Sequence, residues 1–150
     1  MKDSENYLAA TRAKITAHGW TIQFVAASHD IPQSHYTVGI YPTADFEIIT
    51  FGMIISDGAV VLDELAERVR RGTRFVNGQA LTDVLAGGYA VTMLQVPDAS
   101  AWLSIARVLY TPDGRRLPAW QMILPDAAHH LPWEQGYSGP HQPLLGPAPQ

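Results

Sequence analysis

The chain has 150 residues, of which 47% are apolar and 16% charged, with a formal net charge of -4, eleven prolines and no cysteine. This length suits a single domain with one core, and the low charge leaves more of the surface neutral than in most soluble proteins. The negative charge argues against a nucleic-acid binder that works by neutralising phosphates. The lack of cysteine excludes disulfides, thiolate nucleophiles and cysteine-ligated metal sites.

The N-terminal sequence predicts a cytoplasmic protein. Residues 1–6 are polar and mixed in charge, and no apolar segment of a signal peptide follows them. No stretch approaches the roughly 20 apolar residues that span a bilayer. We therefore expect a soluble protein that has neither a membrane nor nucleic acid as a partner.

The first half of the chain predicts two helices and three strands. Their expected ranges are residues 5–18 and 57–71 for the helices and 20–25, 35–41 and 46–51 for the strands. Short links between the strands predict an antiparallel meander. Ser56 is the expected N-cap of the second helix. We interpret the arginines at its other end (68, 70, 71 and 74) as complements to the helix dipole, with an anion site as the alternative.

The second half predicts a small hairpin, two further strands and a third helix. The expected ranges are 74–76 and 79–81 around the turn Asn77-Gly78, 89–96 and 119–124 for the strands, and 99–110 for a helix capped by Asp98. No internal repeat or linker divides the chain. The sequence thus predicts one α+β domain, with an antiparallel or mixed sheet of five or six strands and two to three helices.

The segment after residue 124 differs in composition from the rest. Its prolines, at positions 125, 132, 140, 143, 147 and 149, prevent a persistent helix or central strand. Its apolar side chains, among them Trp133 and Tyr137, are too many for a disordered tail. We predict an extended proline-rich arm over residues 125–146 that docks on the domain or on a second subunit. The arm and the low charge together favour a homodimer.

Several short motifs resemble one bacterial protein family. They are His18-Gly19-Trp20 with Gln23 and Val25, Tyr36-Thr37-Val38-Gly39, Glu47-Ile48-Ile49, Leu65-Ala66, Gly78-Gln79, Pro125-Asp126, Pro132-Trp133-Glu134, Gly136-Tyr137 and Gln142-Pro143. Together they cover most of the chain and are similar to the family catalogued as domain of unknown function 4262. The resemblance implies a small α+β domain of bacteria and phages and implies no activity. Phe46 and His129 depart from the family pattern, which usually has proline and glycine at these positions.

The histidines and acidic residues of the last segment suggest a metal site that the spacing does not support. Asp126, His130 and Glu134 are four residues apart and would share one face of a helix. Pro132 lies between them and prevents that helix, so no metal is predicted. His18, at a helix C-terminus, is favoured there by the dipole, and its functional alternative is a general base near Tyr36 or Thr37.

No cofactor is predicted either. The chain has neither a phosphate-binding glycine loop nor a nucleophile elbow around Ser34 or Thr37. Residues 36–39 loosely resemble strand segments of flavin-binding split barrels, but the order of the elements fits them only in part.

The aromatic residues give the leading functional hypothesis, a non-enzymatic module that binds a small, nucleotide-like molecule. Aromatic side chains with a polar atom are favoured in binding pockets. The predicted pocket residues are His18, Trp20, Tyr36, Thr37, Asp126, His130, Trp133 and Glu134. Two alternatives stay open: a protein-interaction module of the immunity or anti-defence type, and a hydrolase-like enzyme with His18 or His130 as its base.

Overall fold

Six strands form one mixed sheet in the computed structural model, which describes residues 2–149. The strands are β1 (Thr21–Val25), β2 (Ser34–Val38), β3 (Glu47–Phe51), β4 (Gln79–Leu81), β5 (Val91–Val96) and β6 (Ala119–Ile123). Their spatial order is β1-β2-β3-β6-β5-β4, and the neighbours β3 and β6 are parallel while the other pairs are antiparallel. The predicted α+β class and the meander of the first three strands are confirmed.

The described residues also contain the helices α1 (Lys2–His18), α2 (Tyr41–Ala44), α3 (Ile55–Arg70) and α4 (Ser104–Tyr110). Helix α1 begins three residues before its predicted start, and both predicted N-caps, Ser56 and Asp98, are wrong. Helix α3 is preceded by Ile54, and Ser56 lies inside it without capping it. The Asp98 carboxylate accepts hydrogen bonds from the N–H groups of Ser100 and Leu117 and so forms a turn, and α4 begins only at Ser104. Within residues 2–149 no helix is both long and apolar enough to cross a membrane.

The predicted hairpin around Asn77-Gly78 is wrong as well. Strand β4 pairs with β5 instead of with residues 74–76. The Gly78 N–H donates to Met93 O and the Gln95 N–H donates to Asn77 Oδ1, so the turn is bonded to β5. Phe75 is buried, and its ring packs against Trp120 instead of extending a strand.

The core has one layer on each face of the sheet. The expected stripe of α3 is buried on the first face against Ile48, Met93 and Met122. On the second face, α4 and the loop before it cover Tyr36 and Ile49. Helix α1 lies beside this second layer and buries Thr11 as its one buried residue among those described. Buried apolar area on both faces therefore accounts for most of the stability of the fold.

Residues 124–149 contain neither helix nor strand. The Gln121 side-chain amide donates to Pro143 O and accepts from the Leu145 N–H. The Gln142 amide pairs in the same way with the N–H and C=O groups of Leu124. These bonds hold part of the segment against β6, while an arm docked over its whole length stays a prediction.

Candidate functional site

The strand register defines two opposite ends of the sheet. Glu47 pairs with Ala119 at one end, which we call the Glu47 end. Phe51 pairs with Ser34 at the other, which we call the Phe51 end. The two ends of these five-residue strands are separated by about 13 Å, since a strand rises about 3.3 Å per residue. Side chains at different ends therefore cannot line one small pocket.

The predicted pocket residues are divided between these two ends. Trp20 and His18 precede Thr21, which pairs with Val38 at the Glu47 end. The last segment leaves β6 after Ile123 at the Phe51 end, and it carries Asp126, His130, Trp133 and Glu134. The structure therefore does not bring all eight predicted residues together, and it offers two separate places to consider. Whether any of these residues binds a ligand stays a prediction.

A buried carboxylate organises the Glu47 end. Glu47 is fully buried, and its Oε1 accepts a hydrogen bond of 2.7 Å from the Thr37 hydroxyl. Its Oε2 accepts bonds from the N–H groups of Gly39 at 3.0 Å and Tyr41 at 3.1 Å. Burial raises the pKa of Glu47 to about 7, although the bonds from Thr37 and the backbone act in the opposite direction. Glu47 thus holds the turn between β2 and α2.

This turn packs directly against the turn between α1 and β1. Gly39 has a φ of +128°, and a Cβ at this position would lie 2.6 Å from Gly19 O and 2.7 Å from Trp20 Cα. A residue other than glycine would meet both backbone strain and a steric clash here. The motifs around Gly19 and Gly39 therefore form the two sides of one backbone contact. Glu47 holds the Gly39 side of this contact in place.

A cleft of about 280 Å³ opens where the two turns meet the end of α3, and we call it the turn cleft. Its lining residues are Gly19, Trp20, Gly39, Ile40, Thr43, Val69, Arg70, Gly72 and Arg74. The Trp20 Nε1–H donates to Asp63 Oδ1 of α3 at 2.8 Å, which fixes the indole. The cleft thus joins an aromatic ring, glycine backbone and two guanidinium groups.

Of the two arginines that line the turn cleft, Arg74 is the one that forms no ion pair with a carboxylate of residues 2–149. Its Nη1 donates to the carbonyl oxygens of Val69 and Thr73 and so caps the end of α3. Its guanidinium carbon lies 5.8 Å from the centre of the Phe46 ring. Within residues 2–149 no Asp or Glu forms an ion pair with Arg74.

The neighbouring arginines are already paired. Arg68 bonds to Glu64 and Asp83, and both Arg70 and Arg71 bond to Glu67. Each pair joins a half-buried side chain, Arg68 or Glu67, to an exposed partner, and ion pairs at the surface contribute little to stability. Arg68, Arg70 and Arg71 lie at the end of α3, the position expected for residues that complement the helix dipole. Arg74 still has N–H donors for a further acceptor.

His18 lies on the outside of the Glu47 end. It lines a second, more open cavity of about 450 Å³ together with Trp20, Thr21, Ile22 and Asp63. Trp20 therefore separates this cavity from the turn cleft.

Tyr36 and Thr37 point into the protein and line neither of these two cavities. The Tyr36 hydroxyl accepts a bond from the Ile105 N–H, and burial raises the pKa of this phenol. The Thr37 hydroxyl bonds to Glu47 and accepts from the Ile48 N–H. Both hydroxyls are therefore engaged in holding the fold.

A second buried carboxylate organises the loop at the Phe51 end. Asp126 is 4% exposed and accepts bonds from the N–H groups of Ala128, His130 and Ser138 at 2.8 to 2.9 Å. Burial acts to raise the pKa of Asp126, but these donors outweigh it and lower the pKa to about 2. The His130 Nδ1 lies 3.3 Å from Asp126 Oδ2. Asp126 therefore stays ionised and orients one imidazole.

The remaining predicted residues of this end do not extend that pair into a metal centre. Glu134 Oε1 accepts a hydrogen bond from the Leu131 N–H and closes a local turn. Trp133 is half-buried beside it. Among the residues that the structure describes, no three His, Asp or Glu side chains are grouped to hold a metal ion.

His129 and Phe46, which the resemblance marks as departures from the family pattern, each make an aromatic contact. His129 adopts a φ of +68°, a backbone conformation that favours glycine. Its ring stacks on Tyr89 with centroids 4.4 Å apart, and its N–H still closes the turn onto Asp126 O. Phe46 is buried, with its ring edge against Trp120. Both side chains therefore contribute an aromatic contact.

Sequence reasoning missed Glu47 and Gly39 as residues that shape a site, and it considered Arg74 only within the alternative of an anion site at the end of the second helix. Glu47 had a visible signal, since it opens a strand whose other residues are apolar or threonine. A charge at the start of such a strand indicates a buried carboxylate with donors nearby.

Comparison with known proteins gives a family without a described activity. The sequence profile of the family described as Domain of unknown function (DUF4262) matches residues 14–138. No curated protein and no solved structure matches the chain significantly. The match covers most of the chain and confirms the resemblance of its motifs. The chain therefore belongs to the DUF4262 family.

Proposed function

We propose that this chain is a small-molecule-binding module and that its ligand occupies the turn cleft. The observation that carries the proposal is the position of Arg74, whose free donors border a cleft that also contains the Trp20 indole. Binding sites commonly combine an apolar or aromatic wall with a few placed polar groups. The packed turns at Gly19 and Gly39 form the rigid floor of this one.

The chemistry of the cleft favours a planar ring that carries an anionic group. Arginine guanidinium groups bind phosphate and carboxylate groups through paired N–H donors. An indole supplies a flat surface for a second ring. At about 280 Å³ the cleft is near the lower limit of small-molecule sites, which begin at about 300 Å³. A nucleoside monophosphate combines the required charge and ring, and a larger ligand would extend into solvent.

Titration calorimetry with AMP, GMP, CMP, UMP and inorganic phosphate tests this proposal. We expect at least one monophosphate to bind, and Arg74→Ala to weaken that binding about tenfold or more because a charged hydrogen-bonding partner is lost. Arg71→Ala is the matched control, since it removes the same charge from a residue outside the cleft. Equal affinities of the two variants, or no binding of any of the five compounds, would refute the proposal.

The other two functional hypotheses stay predictions. A hydrolase-like enzyme would need a nucleophile or an activated water next to His18 or His130, and the Thr37 hydroxyl is held by Glu47. An immunity or anti-defence module would need a partner surface, for which the turn cleft is too small. The cleft chemistry favours ligand binding over both.

A further inference from the structure

Arg74 lines a second cavity as well as the turn cleft. This cavity has a volume of about 270 Å³, and we call it the Asp45 cavity after the exposed carboxylate that lines it. Thr43 of α2 lines the turn cleft, while Ala44 and Asp45, which follow it directly in the chain, line the Asp45 cavity. The two cavities are therefore neighbours, with Arg74 and the end of α2 common to both.

The guanidinium group of Arg74 lies at the junction of the two cavities. Its Nη1 donates to the carbonyl oxygen of Val69, a residue that lines the turn cleft. Its guanidinium carbon lies 5.8 Å from the centre of the Phe46 ring, which lines the Asp45 cavity. An anionic group that binds Arg74 from the turn cleft can therefore carry a substituent that extends into the Asp45 cavity.

The Asp45 cavity combines an aromatic wall with a hydrogen-bond acceptor. The Trp120 ring packs against the buried rings of Phe46 and Phe75, and all three side chains line the cavity. Asp45 forms no ion pair with any residue in the range 2–149. A carboxylate accepts hydrogen bonds from hydroxyl and N–H groups and repels phosphate. The cavity thus favours an uncharged ring system that carries such donors.

We propose that the ligand is a dinucleoside monophosphate, with its phosphate at Arg74, one base on the Trp20 indole and the second nucleoside in the Asp45 cavity. This inference rests on the function proposed above and defines its ligand class more closely. One guanidinium group without a carboxylate partner matches the single charge of one phosphodiester. The hydroxyl groups of the second ribose and the N–H groups of its base supply donors for Asp45.

The size of the two cavities agrees with this ligand class. The turn cleft alone is near the lower limit for a small-molecule site, and a larger ligand has to leave it. On the side of Arg74 such a ligand enters the Asp45 cavity, which is of nearly equal volume. Together the two cavities fall within the range of about 300 to 1,000 Å³ that is usual for small-molecule sites.

Titration calorimetry with ApA, GpG, CpC and UpU, and with the methyl esters of AMP, GMP, CMP and UMP, tests the inference. A methyl ester has the same single charge as a dinucleoside monophosphate but no second nucleoside. We expect at least one dinucleoside monophosphate to bind about tenfold more tightly than its methyl ester, because a second base contacts the aromatic wall. Arg74→Ala should weaken the binding of both ligands about tenfold or more, since both place their phosphate at this side chain.

Asp45→Gly tests the second cavity separately from the turn cleft. Asp45 has a φ of +66°, which glycine adopts readily, so the substitution removes the carboxylate without straining the backbone. We expect it to reduce the preference for the dinucleoside monophosphate about threefold or more, without weakening the binding of the methyl ester. Asp113→Gly is the matched control, since it removes the same charge from a residue that lines neither cavity, and it should keep the full preference. Circular dichroism verifies that each variant is folded.

The possible results separate this inference from the proposed function. Monophosphates that bind through Arg74, together with dinucleoside monophosphates that bind no more tightly than methyl esters, would overturn the inference and leave a mononucleotide site in the turn cleft. Equal strengthening of both ligands in Asp45→Gly would overturn it too, since the carboxylate would then only repel phosphate. A hexanucleotide that binds more than about tenfold tighter than the dinucleoside monophosphate would assign the site to a nucleic-acid strand instead. Absence of binding by every compound would overturn the proposed function as well.

Discussion

Glu47→Ala is expected to lower the free energy of unfolding by about 3 kcal/mol or more, because it deletes a buried acceptor and leaves a cavity. The N–H groups of Gly39 and Tyr41 and the Thr37 hydroxyl would lose their common partner. Urea unfolding followed by tryptophan fluorescence measures the change. Glu64→Ala is the control, since it removes an exposed carboxylate that pairs with Arg68 and should cost less than about 1 kcal/mol.

Glu47→Gln separates the shape of this side chain from its acceptor capacity. The glutamine amide keeps one oxygen that accepts from the turn, but its NH2 group faces N–H and O–H groups that are themselves donors. We therefore expect Glu47→Gln to lower the free energy of unfolding by less than Glu47→Ala does. A loss of less than about 1 kcal/mol in Glu47→Ala would show that the carboxylate does not hold the turn. The wall of the turn cleft would then need another explanation.

Gly58→Ala is expected to lower the free energy of unfolding by about 3 kcal/mol, although alanine is the better helix former by about 1 kcal/mol. Gly58 lies in α3 directly over the imidazole of His35, and a Cβ there would overlap the ring. His35 is 1% exposed, and its Nε2 lies 2.9 Å from the Ile55 carbonyl oxygen, so the ring has no free space to move into. Thermal or urea unfolding measures the loss.

A double-mutant cycle with His35→Ala tests the cause of that loss. In the His35→Ala background the ring is absent, and Gly58→Ala should be neutral or stabilising by up to about 1 kcal/mol. Ser56 lies two residues before Gly58 in α3 and is exposed, so Ser56→Ala serves as the control. It should change the free energy of unfolding by less than about 0.5 kcal/mol. The same loss in both backgrounds would contradict a clash with the imidazole.

Local patterns in the sequence predicted most of the regular elements. The alternation of β1 and the stripe of α3 follow from hydrophobic period, whereas β3 and β6 are buried on both faces and are recognised as short, mainly apolar runs next to turn residues. The wrong predictions concern residues with a local cap or turn signal that bond to a distant part of the chain. Asp98 caps a turn that leads to Leu117, and Asn77-Gly78 leads into pairing with β5. Such long-range partners are not visible in a local window.

The candidate site was predictable only in part, because it depends on strand register. The motifs at His18-Gly19-Trp20 and Tyr36-Thr37-Val38-Gly39 do meet, at the contact between Gly19 and Gly39. The motif around Asp126 is equally prominent in the sequence but lies at the other end of the sheet. Sequence spacing alone does not distinguish the two ends, since that requires knowing that β3 and β6 are parallel.

Glu47 is the buried carboxyl group that fixes the Gly39 wall of the turn cleft. Burial raises its pKa from 4.5 to about 7, so the folded state holds a proton that the unfolded state has released between these pH values. Stability contributed by this group is therefore greatest at low pH and is lost as pH rises towards 7. Burial also raises the pKa of Tyr110 to about 12, which keeps this neighbouring phenol neutral throughout.

The most direct test is the free energy of unfolding of the wild type and Glu47→Gln, measured by urea unfolding from pH 5 to pH 8. The two proteins differ at this one side chain, so the difference between their profiles reports Glu47. We predict that the wild type loses about 2 to 3 kcal/mol relative to Glu47→Gln across this range. Parallel profiles would contradict a buried, titrating Glu47 and, with it, the proposed organisation of the cleft.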